Sequence, residues 1–387
     1  MRTESIVTSQ PDSAPAPRIL PHRRLPDLLV ALHADGYAVY GPQVRDGAIV
    51  IDRLGDAAAL PQGWASDQDG GTYRLRRRDD AAVFGFVHGA DSWKKLLHPA
   101  HLRLWSARRE GGGFVVQSDE DPAEPFALIG VRGCDLRAIA IQDRVFLDGE
   151  HVDAVYQARR RNAFIVAVDC AEPGGTCFCT SMGSGPAAGA GHDLALTELG
   201  AAEGDAQHRF VVRVGSARGQ AIVDRLHLPE ATAGEIGDAT AVTDVARTRM
   251  GRTMPPNARE VLLANRESPH WDEVAKRCLT CGNCTMVCPT CFCTTVEDTT
   301  DLSGDIAERW RLWDSCYTFE FSYVVGDTVR QSAPARYRHW ISHKLATWHD
   351  QFGEAGCVGC GRCITWCPVA IDITAEVAAL AESGDKT

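Results

Sequence analysis

One stretch constrains this chain more than any other: Arg277-Cys278-Leu-Thr-Cys281-Gly-Asn-Cys284-Thr-Met-Val-Cys288-Pro289. Its form returns at Cys357-Val-Gly-Cys360-Gly-Arg-Cys363-Ile-Thr-Trp-Cys367-Pro368. Both read C-x2-C-x2-C-x3-C-P, the spacing with which thiolates hold a pair of 4Fe-4S clusters. Three cysteines two residues apart wrap one face of an iron-sulfur cube. The fourth, thrown forward by a turn and stopped by proline, reaches the other cluster. The spacing predicts one 4Fe-4S cluster on Cys278, Cys281, Cys284 and Cys367, and a second on Cys357, Cys360, Cys363 and Cys288. Zinc is the rival, because C-x2-C pairs also build tetrahedral zinc sites. Zinc has no use for a third regularly spaced cysteine and a trailing Cys-Pro, twice over.

With 387 residues the chain has room for two or three domains. A formal net charge of -11 argues against nucleic acid, whose phosphates demand a positive footprint. The basic runs Arg74 to Arg78 and Arg159 to Arg161 read as solvated faces or as docking surface for an acidic partner subunit. Fifteen cysteines in a chain this large, eight of them assigned to clusters, fit a reducing cytoplasm better than a disulfide framework. The proline-rich N-terminus lacks an apolar h-region, so Arg23-Arg24 is not read as an export signal, and no apolar run is long enough for a membrane span. The sequon Asn283-Cys284-Thr285 is set aside because Cys284 is needed by iron.

The expected architecture is α+β: a disordered segment 1–18, an α/β domain over 19–250 with cysteine-rich loops, and a helical, ferredoxin-type two-cluster domain over 251–387. Asp27 to Ala34 has helical spacing, and Ala48 to Asp52 reads as a strand. Strands are also expected at Ala82 to Val87, Phe114 to Gln117, Phe126 to Val131, Phe164 to Val168 and Phe210 to Val214. Between the Phe126 and Phe164 strands, Asp135 to Phe146 is helical, which predicts a parallel crossover unit. Ala217 to Trp271 reads as mainly helical, broken at Pro255-Pro256. The long insert between Cys288 and Cys357 includes helical spacing at Arg336 to Gln351, and Thr374 to Glu382 closes the chain as a helix.

Seven cysteines remain. Cys134 and Cys170 each stand just beyond a predicted strand, at the carboxyl edge where α/β sheets place their sites. The second loop continues through Gly174 and Gly175 to Cys177 and Cys179, so four thiols could converge as a third cluster, or serve as core or redox thiols. A helix N-terminus beside Cys134 would favour thiolate. Cys291, Cys293 and Cys316 could support a further cluster, tune a neighbouring one or line the core. The glycine-rich run Gly183 to Gly189 reads as a turn rather than a nucleotide loop, and His339 and His343, one helical turn apart, as packed or solvated side chains rather than metal ligands.

Four segments together carry a family resemblance: Gly130-Val-Arg-Gly-Cys134-Asp-Leu-Arg-Ala, Glu172-Pro-Gly-Gly-Thr-Cys177-Phe-Cys179-Thr-Ser-Met-Gly, the run Arg277 to Cys293, and Cys357-Val-Gly-Cys360-Gly-Arg-Cys363. They closely resemble the beta subunit of soluble nickel-iron sulfhydrogenases, with the corresponding iron-sulfur subunit of anaerobic sulfite reductase in the same wider family. The resemblance covers most of the chain from about residue 18. It implies an electron-transfer subunit working beside a flavoprotein that binds FAD and NAD(P), and beside the small iron-sulfur and large nickel-iron subunits of a hydrogenase. Gly133 departs from the proline expected of the family at that place. No acid, base or nucleophile is identified in the chain. Two alternatives to the hydrogenase subunit are the same carrier role in a sulfite reductase, and a sulfur- or disulfide-reducing subunit using Cys291, Cys293 or Cys316.

Overall fold

The computed structural model describes residues 15–118, 124–201 and 207–384. Of the segment expected to be disordered, residues 1–14 lie outside the described residues, and Arg18 already belongs to a strand.

Seven strands form one sheet in the order Arg18–Pro21, Arg209–Val214, Leu194–Leu199, Ala163–Val168, Phe126–Val131, Ala38–Arg45, Ala48–Arg53. The four in the middle of that order beginning at Leu194–Leu199 run parallel, and the others add antiparallel at the edges. A parallel sheet is covered on both faces, so its central strands need apolar residues throughout rather than in alternation. Every residue of Phe126–Val131 and Ala163–Val168 is buried. Ala127, Ile129, Phe164 and Val166 face helices Leu25–Ala34 and Ala217–Leu226. Leu128, Val131, Ile165 and Ala167 face helices Gly133–Leu147 and Ala154–Asn162 through Leu136, Ile139 and Tyr156. The predicted crossover is present, with Leu128 opposite Ile165 in the parallel register.

Ala82 to Val87 is not a strand. Its apolar side chains are buried, but its backbone is served by side chains instead of a ladder. Val83 and Phe84 N–H donate to the Glu198 carboxylate at 2.7 and 3.0 Å, and Val87 N–H to Ser66 Oγ at 2.9 Å. Arg132 donates to the carbonyls of Phe84 and Phe86. This pattern satisfies buried amides without a neighbouring strand.

A second core gathers Trp271, Val274, Tyr337, Trp340, Leu345, Val377 and Leu380 between helices Ala258–Ala264, His270–Arg277, Ala333–Ser342 and Ile373–Gly384. The insert between the cysteine motifs carries the expected helices, Ala333–Ser342 and Trp348–Phe352, joined by a π-helical turn His343–Thr347. It also carries a hairpin the sequence reading did not foresee, Thr294–Thr300 with Ile306–Trp313. That hairpin pairs with His101–Glu110, which pairs with Gly113–Ser118, so one four-stranded sheet takes strands from both halves of the chain. Among the described residues no helix is long and apolar enough to cross a membrane.

Candidate metal centres

The two cysteine motifs fold alike. In each, the residue before the second cysteine is left-handed, Thr280 at φ 50° and Gly359 at 65°, and its N–H points at the first sulfur: Thr280 to Cys278 Sγ and Gly359 to Cys357 Sγ, both 3.4 Å. A left-handed glycine then opens a short helical turn, Gly282 before Asn283–Met286 and Gly361 before Arg362–Thr365.

Cys278, Cys281 and Cys284 line a cavity of about 420 Å³ together with Cys367 from the other motif. Tyr317, Tyr337, Trp340, Ile371 and Ile373 complete its largely apolar wall, and Cys363 also reaches it. Ile371 N–H donates to Cys367 Sγ at 3.3 Å. Of the fifteen cysteines only Cys281 is exposed. Leu279 beside it is 61% exposed, so this site lies nearest the surface.

The second predicted set also comes together. Burial, with a contribution from the neighbouring Cys288, pushes the Cys357 thiol up to about 12 and raises Cys360 and Cys363. Cys288 moves the opposite way. Hydrogen bonding from Cys291, then the charge of Lys344 and the hydroxyl of Thr290, hold it well below the usual thiol range. Thiols raised by burial stay protonated when bare, and a metal would displace those protons on binding.

The N-terminal cysteines form a third group against the second motif. Phe178 N–H donates to Gly359 O at 2.8 Å, Ser184 Oγ to Val358 O at 2.5 Å, and the Cys177 thiol to Cys360 O at 3.7 Å. Cys170, Cys177 and Cys179 are close enough for charge on one to raise the others, and Cys134 adjoins Cys179 and Cys360. The expected thiolate at Cys134 is not supported. Burial, then the neighbouring Asp135, hold its thiol well above the usual range despite its place in the first helical turn. Glycine at position 133 has a steric reason: a Cβ there would lie 2.5 Å from Ala187 O in the Gly183 to Gly189 turn, which packs over this helix end.

Between the second and third groups lies a fully buried ion pair that sequence reasoning missed, Arg362 to Asp135 at 2.9 and 3.2 Å. Both residues sit inside the quoted cysteine motifs, but nothing in a sequence signals a pairing across that distance. Also missed were two buried lysines. Lys94 Nζ donates to Cys291 O at 3.0 Å and stands 3.8 Å over the Trp313 ring. Lys344 donates to Cys288 Sγ at 3.4 Å. Burial lowers Lys94. Burial pulls Lys344 down too, but the thiol charges, Cys288 foremost, outweigh it and hold the ammonium well above the usual range.

Cys291 lies beside Cys288, and Cys316 lies between Cys293 and Cys284. His339 and His343 stack with ring centroids 5.8 Å apart. Among the described residues no three His, Cys, Asp or Glu side chains converge as closely as a single metal ion requires. The first four thiols are instead spread around a cavity, which suits a multi-iron group better than one tetrahedral zinc at about 2.3 Å from each sulfur.

This arrangement defines an iron-sulfur protein of the electron-transferring oxidoreductases, and the comparisons agree: residues 277–371 match the 4Fe-4S dicluster domain. The chain is 33% identical over 267 residues to sulfhydrogenase 2 subunit beta of Pyrococcus furiosus, covering 67% of this chain and 76% of the relative. It belongs to the sulfhydrogenase beta-subunit family.

Proposed function

We propose that the chain is the iron-sulfur electron-transfer subunit of a cytoplasmic, NAD(P)-linked nickel-iron hydrogenase complex. The observation that carries this reading is the cavity framed by Cys278, Cys281 and Cys284 of one motif and Cys367 of the other, the crossed ligand set of a two-cluster protein. Cys288 with Cys357, Cys360 and Cys363 would hold a second 4Fe-4S cluster, and Cys134, Cys170, Cys177 and Cys179 a third. When bound, such clusters supply one-electron transfer without proton bookkeeping.

The chain's own part is to fix the sulfurs and exclude water. The motif turns aim backbone N–H groups at Cys278, Cys357 and Cys367, and aromatic and aliphatic walls keep the first cavity dry. Cys363 reaches the first site and Cys360 adjoins the third, so the three sites abut in a row starting from exposed Cys281. The partners at the two ends of that row are a flavoprotein binding FAD and NAD(P), and the small iron-sulfur and large nickel-iron subunits. The relative is named as one subunit of a sulfhydrogenase, which supports a hetero-oligomer.

Iron and sulfide analysis of the chain purified anaerobically with its partners tests this. About twelve irons per chain are expected for three 4Fe-4S clusters. Cys177→Ser should lower that to about eight, with loss of one signal in low-temperature EPR of the reduced sample. About eight irons in the wild type, unchanged by Cys177→Ser, would return the N-terminal thiols to a core role. Zinc in place of iron would overturn the assignment altogether.

A further inference from the structure

We propose that Lys344 sets the reduction potential of the second cluster site by placing a buried positive charge on its remote ligand, Cys288. The proposal rests on the cluster assignment above and adds a tuning residue to it.

Three protons of the ammonium meet three acceptors: Cys288 Sγ at 3.4 Å, Thr290 Oγ1 at 3.0 Å and Gly356 O at 3.2 Å. Its hydrogen bonding is therefore complete. Its charge is not matched in the same way, because none of the carboxylates among the described residues pairs with it. A buried ammonium without a counter-charge is costly, and in most proteins it would be replaced or neutralised. Of its three contacts only the Cys288 sulfur can carry negative charge, which it does when it ligates iron.

Thr290 belongs to the same device. Its hydroxyl lies 3.1 Å from Cys288 Sγ and 2.8 Å from Gly356 O, so it orients both the sulfur and the lysine. The backbone is shaped for the contact: Lys344 stands in the π-helical turn His343–Thr347, a widened turn of the kind that recurs at functional sites, with Leu345 and Ala346 also buried there.

Reduction of the site adds one electron and no atom, so the reduced form is the more negative. A fixed positive charge touching a ligand sulfur in a poorly solvated place stabilises the reduced form and raises the potential. Lys94 lies on the far side of Cys291 and donates to its carbonyl, one residue beyond Thr290. It reinforces the same field without touching Cys288.

The test is an EPR-monitored titration of the purified complex with dithionite and redox mediators, with iron counted in every sample. Lys344→Met should lower the reduced-to-oxidised ratio of one cluster about tenfold at a given potential, a fall of about 59 mV for a one-electron couple. Lys344→Arg should restore most of the midpoint, and Thr290→Val should move it the same way by less. Lys276→Met, at an exposed lysine paired with Glu273, should leave every midpoint in place. An unchanged set of midpoints in iron-replete Lys344→Met would overturn the proposal. Should that variant lose iron, an unchanged midpoint in Thr290→Val overturns it instead. Full iron and unaltered EPR in Cys288→Ser would show that the cluster assignment itself has failed, a different outcome from the failure of the tuning role.

Discussion

Arg362→Met is expected to destabilise the chain by about 3–5 kcal/mol, because it strands a buried carboxylate. Asp135 and Arg362 have side chains 1% and 4% exposed, and the guanidinium bonds both carboxylate oxygens. Burial works to raise the Asp135 carboxyl, yet the charge of Arg362 holds it below the usual range. A carboxyl depressed in the folded state contributes stability above its unfolded pKa of about 3.9 and loses it as pH falls through the lower folded value. Without Arg362 the sign reverses. Asp135 would then titrate above its unfolded value, so the variant should lose stability as pH rises, and the gap from wild type should narrow toward acid pH. Urea unfolding followed by tryptophan fluorescence at several pH values measures this. Asp135→Asn combined with Arg362→Met should recover much of the loss, since the stranded charge is gone. A deficit below about 1 kcal/mol for the single variant would contradict the argument, being no more than an exposed pair contributes.

Gly361→Ala should cost the chain its third group of thiols. At φ 74° any side chain is strained, and a Cβ there would lie 2.4 Å from Thr176 O and 2.5 Å from Thr176 Oγ1. The obstacle is backbone of the very loop that presents Cys177, so relief means moving that loop. The backbone conformation alone costs roughly 1–3 kcal/mol. Displacement of the loop should also remove about four irons if a 4Fe-4S cluster sits there. Gly353 supplies the control, at φ 73° with nothing within 4 Å of the place a Cβ would take. Gly353→Ala should show the conformational cost and keep its iron. Equal iron contents in the two variants would mean that the loop does not depend on this contact.

Much of the site was legible because its spacing is local. Three cysteines two residues apart, each followed by a fourth, encode their own turn, and the structure gives both copies the same left-handed residues in the same places. The parallel crossover was legible for a similar reason: its two strands are buried on both faces and so are apolar throughout. Ala82 to Val87 looked like such a strand since burial alone sets its composition, and the Glu198 and Ser66 side chains that replace its ladder are remote in sequence. The hairpin Thr294–Thr300 with Ile306–Trp313 was missed because its first strand, TTVEDTT, is mostly exposed and shows no apolar alternation. Lys94 and Lys344 were invisible for the opposite reason. A lysine on an amphipathic helix is ordinarily solvated, and only the tertiary packing shows that these two are enclosed.

The interlock between Phe178 and Gly359 also bears on when the molecule can be finished. A chain made from its N-terminus folds its early part first, and the seven-stranded sheet can close once Arg209–Val214 has emerged from the ribosome. The loop bearing Cys177 and Cys179 has no such freedom, for its backbone partner belongs to the second cysteine motif. The first motif likewise waits for Cys367 to complete its cavity. Iron loading is thereby a late event in biosynthesis, held back until nearly the whole polypeptide exists.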